Sequence, residues 1–163
     1  MVLSSEIVEL TTEIIHVLRE RNETLSTAES LTAGSLSSAI VRISGASEVF
    51  VGGLTAYRDG IKISHLNVDP VLITEQTSVS EQVAVAMAKG ARESFGTTWA
   101  ISTTGVAGPN PVDGHPVGVV WVAIDGPVSQ TIELSLSGER ESIRNAATAS
   151  AIATFARILR HRS

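Results

Sequence analysis

The feature that most constrains this fold is the alternation of helix-like and strand-like segments along the whole chain. Residues 5–21 repeat apolar side chains at helical spacing, and residues 24–28 form a short β-branched segment that predicts a strand. The alternation continues to a hairpin and a last helix over residues 139–161. This order predicts an α/β fold, a three-layer α/β/α sandwich with a mixed, mostly parallel sheet.

Turn and capping residues place the remaining elements. A helix is predicted over residues 34–43, and a second strand within 47–58 that is broken or bulged near Gly52 and Gly53. Ser80 and Gly96 suit the two ends of another helix. The sequence further predicts a buried strand at 99–103 and, around Asp-Gly at 125–126, a hairpin of residues 117–124 and 128–136.

The composition narrows the class of protein. The 163 residues are 43% hydrophobic and show no linker, so we expect one domain over residues 5–160. A net charge of −5 disfavours a nucleic-acid binder, which needs a basic face. No signal peptide or membrane-length apolar run is evident, so we expect a cytoplasmic protein that binds no membrane.

Ser30 is the first candidate for chemistry. It lies where a predicted strand ends and a helix begins, and side chains at such junctions are exposed at the ligand-binding edge of α/β sheets. Free backbone N–H groups at a helix start can also stabilise an oxyanion. The alternative is that this serine only caps the helix. No cysteine competes as nucleophile, since the chain contains none.

A serine nucleophile needs a base, and lysine occurs only at Lys62 and Lys89. Lys89 is on the polar side of its helix, whereas Lys62 lies between Ile61 and Ile63, where burial would favour the neutral amine. The alternative is a lysine whose stem packs on the core while its ammonium reaches water. Tyr57, the only tyrosine, can relay a proton, bind ligand or merely pack.

Two further segments can bind a ligand. Gly105 and Gly108 follow a predicted strand and would let backbone N–H groups approach a ligand, although a tight structural turn explains them equally. Arg140 and Arg144 share a helix face and could hold one phosphate, or could pair with nearby glutamates. The four histidines are scattered, which makes a metal site or a Ser-His-Asp triad less attractive than a Ser-Lys pair.

Taken together and in order, these motifs closely resemble the CinA C-terminal domain family over residues 5 to 160. The residues that carry the resemblance are Ala-Glu-Ser-Leu-Thr-Ala-Gly at 28–34, Tyr57 with Lys62, Thr-Gly-Val-Ala-Gly-Pro at 104–109, Pro-Val-Gly-Val-Val-Trp at 116–121 and Gly-Glu-Arg-Glu-Ser-Ile-Arg at 138–144. The family includes nicotinamide-nucleotide amidases.

The resemblance implies hydrolysis of nicotinamide mononucleotide to nicotinate mononucleotide and ammonia in pyridine-nucleotide salvage. It implies no metal or other cofactor, a homo-oligomer, and a stand-alone form without the N-terminal domain of longer CinA proteins. Ser30, Lys62 and Tyr57 match the family's catalytic serine, lysine and nearby tyrosine. The expected substrate contacts are Glu29, Thr32, Ala33, Gly34, Thr104, Gly105, Gly108, Arg140 and Arg144, with the oxyanion held by N–H groups near residues 32–34.

Three departures from the family pattern affect the rim of the expected pocket. Ala33 replaces a frequent glycine, the 108–114 loop is unusual, and His115 stands where a lysine is frequent. They leave two alternatives open: a hydrolase for another amide, and a non-catalytic nucleotide-binding or interaction domain. In the second alternative Ser30 is a helix cap and Lys62 faces solvent.

Overall fold

A five-stranded sheet forms the middle layer of the computed structural model, which describes residues 4–162. Its strands are β1 (Leu25–Glu29), β2 (Phe50–Thr55), β3 (Trp99–Gly105), β4 (Val119–Asp125) and β5 (Gln130–Ser135). They lie in the order β2-β1-β3-β4-β5. The β1–β2 and β1–β3 pairs are parallel, whereas β4 runs antiparallel to both neighbours. Four strands therefore point one way, and the predicted mixed α/β sandwich is confirmed.

Helices cover both faces of this sheet. They are α1 (Ser5–Glu20), α2 (Ser35–Val41), α3 (Asp59–Leu66), α4 (Pro70–Gln76), α5 (Glu81–Phe95) and α6 (Arg140–His161). On one face α1 and α2 pack against α6, and on the other α3 and α4 pack against α5. None of the helices within residues 4–162 is long and apolar enough to cross a membrane.

The core is built mainly from aliphatic side chains. The inward face of α6, which includes Ile152 and Leu159, is buried, and Phe155 packs edge-on against Trp99 of β3 with ring centroids 5.3 Å apart. On the opposite face Met87 and its alanine neighbours on α5 are fully buried. The helices that the sequence predicts over residues 139–161 and between Ser80 and Gly96 therefore supply much of the core on the two faces of the sheet.

In the middle region one predicted irregularity is confirmed and two helices were missed. Strand β2 continues through Gly52 and Gly53, and the predicted bulge lies next to them, where the pairing with β1 skips Val51. A side chain at Gly53 would meet the Thr27 hydroxyl at 2.2 Å, so this glycine serves close packing, not a break. No helix was predicted over residues 59–76, where α3 and α4 form, although Pro70 at the first turn of α4 is a typical start signal.

A buried carboxylate holds the turn between β1 and α2. Glu29 accepts hydrogen bonds from the backbone N–H groups of Gly34 (3.0 Å), Leu36 (3.0 Å) and Ser37 (2.8 Å). The Ser37 hydroxyl adds a fourth at 2.7 Å. The first turn of a helix leaves such N–H groups unpaired and carries positive partial charge, so an anion there stabilises the helix.

Gly90 sets how closely α3 approaches α5. A Cβ atom at this position would lie 2.0 Å from the backbone oxygen of Leu66, at the end of α3. Backbone atoms cannot yield as a flexible side chain can, so only glycine permits this contact. Because α3 also carries Lys62, the position of that lysine depends on Gly90.

We therefore predict that Gly90→Ala lowers the free energy of unfolding by about 1–3 kcal/mol, the usual cost of overpacking, despite the higher helix propensity of alanine. Gly60→Ala is the matched control, since it adds the same methyl group to a helix where no atom lies within 4 Å. The control should be neutral or stabilising in urea denaturation, and equal destabilisation of both variants would contradict this packing account.

We also predict that Glu29→Gln destabilises the fold by about 2–3 kcal/mol, because it removes a charged acceptor and turns an amide donor toward N–H donors. Glu6→Gln, at an exposed position in the first turn of α1, should cost less than about 0.5 kcal/mol. Thermal and urea unfolding measure both variants, and a Glu29→Gln protein as stable as wild type would exclude this capping role.

Candidate active site

The carboxyl ends of three parallel strands surround one cavity. Ser30 follows β1, Lys62 lies on the helix after β2, and Gly105 ends β3. In open α/β sheets this edge is where ligands bind. The cavity has a volume of about 250 Å³, and its walls include the predicted residues Ser30, Tyr57, Lys62, Thr104, Gly105, Gly108 and Arg140.

Ser30 lines this cavity, and its hydroxyl has no hydrogen-bond partner among residues 4–162. Its backbone N–H donates to Thr103 O at 2.9 Å. The residue is 8% exposed, so the hydroxyl is reached only from the cavity side. Glu29 caps α2, and this excludes the helix-cap alternative for Ser30.

Lys62 is buried, with 2% of its side chain exposed. Its Nζ donates to the Tyr57 carbonyl oxygen at 3.3 Å and to Asp59 Oδ1 at 3.1 Å. It is therefore not a lysine that extends into water. Lys89, by contrast, has a side chain that is 63% exposed and lies 3.9 Å from Glu93. Within residues 4–162, no hydrogen bond joins Ser30 Oγ to Lys62 Nζ across the cavity they share.

Asp59 is a cavity residue that the sequence interpretation missed. It precedes Lys62 by three positions, a spacing that pairs side chains on a helix, but no helix was predicted there. Its carboxylate also accepts a hydrogen bond from the Ser78 hydroxyl. Burial raises the pKa of Asp59, but the hydrogen bonds from Ser78 and Lys62 and the charge of Lys62 outweigh it, so the pKa is lowered overall.

Tyr57 and Arg140 meet at the mouth of the cavity. Arg140 Nη2 donates to Tyr57 Oη at 2.9 Å, and Nη1 donates to the carbonyl oxygen of Gly108. Tyr57 is half-exposed, and its hydroxyl contacts the arginine while its backbone carbonyl contacts Lys62. The structure thus provides a guanidinium next to the opening, where an anionic group of a ligand would enter.

Several predicted substrate contacts support the β1–α2 turn and do not line the cavity: Glu29, Thr32, Ala33, Gly34 and Arg144. Thr32 is fully buried, and its hydroxyl hydrogen-bonds that of Thr103 at 2.7 Å. Arg144 donates to Leu31 O at 2.8 Å and to Thr32 O at 3.1 Å. Of the two arginines, only Arg140 is placed to meet a ligand in this cavity.

The backbone donors near Ser30 differ from those expected. Ala33 N–H donates to Ser30 O at 3.1 Å, and Gly34 N–H donates to Glu29. Both N–H groups are therefore occupied. The N–H groups of Leu31 and Thr32 have no acceptor among residues 4–162. Leu31, unlike Thr32, lines the cavity, so its N–H group is the donor placed for an oxyanion.

At the end of β3, Gly105 and Thr104 line the cavity and also make packing contacts with neighbouring segments. A Cβ atom at Gly105 would lie 2.6 Å from Val119 O, so β4 requires glycine there. The Thr104 hydroxyl donates to Ser78 O at 2.7 Å and holds the segment before α5 against β3. His115 Nε2 lies 2.9 Å from the Thr77 hydroxyl, which joins the unusual 108–115 loop to the same segment.

The chemistry of the cavity is that of a hydroxyl, an amine and a carboxylate. In the part of the chain that the structure describes, no cluster of three or more His, Cys, Asp or Glu side chains is arranged to hold a metal ion. The arrangement places a free serine hydroxyl, the unpaired N–H group of Leu31 and a buried lysine amine around one space. Such a set suits nucleophilic attack on a carbonyl group.

Comparisons of sequence show relatives over most of the chain. A CinA-like protein of Frankia casuarinae is 39% identical over 147 residues, which are 90% of this chain and 34% of that protein. A CinA-like protein of Synechococcus sp. is 46% identical over 119 residues, which are 72% of this chain and 28% of that protein. The chain thus spans about a third of the length of these curated relatives.

Solved structures show the same fold. Competence damage-inducible protein A from Klebsiella pneumoniae superposes with a TM-score of 0.93 at 29% identity, covering 96% of this chain and 99% of that chain. A competence/damage inducible protein from Agrobacterium tumefaciens superposes with a TM-score of 0.93 at 30% identity, covering 99% of each. The model of the CinA C-terminal domain matches residues 7–159. This chain therefore belongs to the CinA C-terminal domain family.

Proposed function

We propose that this protein hydrolyses the carboxamide of nicotinamide mononucleotide to nicotinate mononucleotide and ammonia, with Ser30 as nucleophile and Lys62 as base. The observation that carries the proposal is that the Ser30 hydroxyl is unpaired and faces a cavity that also contains a buried lysine amine. The choice of substrate comes from the resemblance of the motifs to nicotinamide-nucleotide amidases.

The size and charge of the cavity are consistent with this substrate. Its volume of about 250 Å³ is below the roughly 300–1,000 Å³ of pockets that enclose a whole drug-sized ligand. It therefore suits the pyridine carboxamide end of the nucleotide. The phosphate would extend to the mouth, where Arg140 supplies a guanidinium suited to a phosphate.

In the proposed mechanism, the neutral Lys62 amine takes the Ser30 proton as Oγ attacks the carboxamide carbon. The N–H group of Leu31 stabilises the oxyanion that forms. Ammonia leaves after it receives the proton from Lys62, and a bond between Ser30 Oγ and the acyl carbon remains. Water, deprotonated by the same amine, then attacks this ester and releases the carboxylate and Ser30.

The second candidate is a nucleotide-binding domain without catalysis. It is favoured by one observation: Lys62 pairs with Asp59, and no hydrogen bond joins Ser30 Oγ to Lys62 Nζ within residues 4–162. For catalysis the Lys62 amine must lose its proton and accept one from Ser30 across the cavity that both residues line. A binding domain would retain ligand affinity and release no ammonia.

We predict that Ser30→Ala lowers ammonia release from nicotinamide mononucleotide by at least about 10³-fold, because the other hydroxyls at the cavity, those of Tyr57, Ser78 and Thr104, are held in hydrogen bonds. Ser38→Ala is the matched control, since this serine is exposed on α2. It should retain wild-type activity. No ammonia from the wild-type protein, with binding of the nucleotide by calorimetry, would favour the non-catalytic candidate, and equal activity of both variants would exclude Ser30 as nucleophile.

We predict that Lys62→Met lowers kcat by about 10²–10⁴-fold, the usual contribution of a general base. Methionine retains much of the buried stem, so the fold should persist. Lys89→Met changes the only other lysine, which is exposed, and should leave kcat unchanged. Steady-state ammonia release at several pH values measures both variants, and a Lys62→Met protein with normal kcat would overturn the assignment of the base.

A further inference from the structure

We infer that Asp59, held in place by Ser78, is a positioning residue that orients the Lys62 amine and supplies the negative charge beside it. The inference rests on the proposed function and adds a residue that positions the base of the same site. Asp59 and Ser78 both line the cavity with Ser30 and Lys62.

The contacts of Lys62 leave one donor position for catalysis. An ammonium group has three N–H bonds, and two are directed to the Tyr57 carbonyl and to Asp59 Oδ1. Asp59 on α3 and Tyr57 just before α3 thus occupy two of the three positions on Nζ. The third position is left for a group in the cavity. Asp59 thus controls both the orientation of the amine and the charge beside it.

Asp59 is held in turn by Ser78, which lies in the segment between α4 and α5. Its carboxylate accepts from the Ser78 hydroxyl, and the Ser78 carbonyl accepts from the Thr104 hydroxyl at the end of β3. The carboxylate is half-exposed, with 50% of its side chain accessible, so without this hydrogen bond it could rotate into water. Ser78 therefore holds the carboxylate toward the buried amine.

The other charged groups around α3 have different partners or positions. Asp113 and Arg140 line the same cavity, and Arg140 binds Gly108 O and the titratable hydroxyl of Tyr57. On α5, which packs against α3, the charged side chains are engaged elsewhere: Lys89 with Glu93, Arg92 with Asp125, and Glu81 with Thr131. Asp59 is the carboxylate in direct contact with Lys62.

The sign of the pH effect follows from the state of Asp59. Burial raises the pKa of this carboxyl, but Ser78 and Lys62 lower it further, so Asp59 is negative at neutral pH. A lowered folded-state pKa means that its ion pair stabilises the protein above the carboxyl's ordinary pKa and is lost as the pH falls through the folded value. At neutral pH the Lys62 amine therefore lies next to a negative charge.

The test uses the fact that the chain has only two lysines. Protein labelled with ¹³C at lysine Cε is titrated by NMR, and Lys89→Arg assigns the two resonances. In Asp59→Asn, the midpoint of the Lys62 resonance should move to lower pH by about one unit, as expected when an adjacent opposite charge is removed. The Lys89 resonance should not move.

Asp113→Asn is the matched control, since Asp113 lines the cavity but has no hydrogen bond to Lys62. It should leave the Lys62 midpoint within about 0.3 units of wild type, the small effect expected of an exposed, screened charge. Ser78→Ala should move the midpoint in the same direction as Asp59→Asn but less. An unchanged Lys62 midpoint in folded Asp59→Asn, or in folded Ser78→Ala if the first variant does not fold, would overturn the inference.

The same variants separate this inference from the proposed function. In an active amidase, the acidic limb of the kcat/KM profile of Asp59→Asn should shift with the NMR midpoint. If wild type releases no ammonia but the Lys62 midpoint shifts in Asp59→Asn, the amidase proposal fails and the control of the amine by Asp59 stands. If wild type releases ammonia but neither the Lys62 midpoint nor the kcat/KM profile shifts in Asp59→Asn, the amidase proposal stands and the role of Asp59 fails.

Discussion

The site depends on the buried carboxylate of Glu29 and the four hydrogen bonds it accepts at the start of α2. Without it, the first turn of α2 would leave N–H groups unpaired beside the end of β1. Gly34, at the N-terminal end of this helix, is in the left-handed region and has no side chain to cap it. Because Glu29 performs the capping, the adjacent Ser30 needs no structural role, and its hydroxyl is free to face the cavity.

The second constraint is the burial of an amine on a short helix. A buried ammonium is costly unless it is paired, and Lys62 has a carbonyl and a carboxylate as partners. Gly90 allows α3 to pack closely enough on α5 to bury it. Ser30 therefore lies at the cavity because the turn after β1 is capped by Glu29. Lys62 lies there because the helix after β2 packs closely on α5.

Periodicity in the sequence was sufficient for the sheet and for the three long helices. The cavity residues Ser30, Lys62 and Arg140 were identified in another way, from their residue types and their positions in motifs. Periodicity could not identify α3, a helix of eight residues whose buried positions are few, and so the pairing of Asp59 with Lys62 stayed hidden. Glu29 was among the substrate contacts that the family resemblance implied. Its role follows from tertiary geometry, as does the binding of Arg144 to carbonyl groups of the turn.

The most direct test of the account is whether Ser30 is a nucleophile activated by Lys62. Trypsin cleaves after Arg21 and Arg42, so Ser30 lies in a single peptide of residues 22–42 that mass spectrometry can fragment. A fluorophosphonate, which labels activated serines, should modify Ser30 stoichiometrically in wild type and much more slowly in Lys62→Met. Absence of label on Ser30, or equal rates of labelling of Ser30 in wild type and Lys62→Met, would contradict the claim that Lys62 activates Ser30.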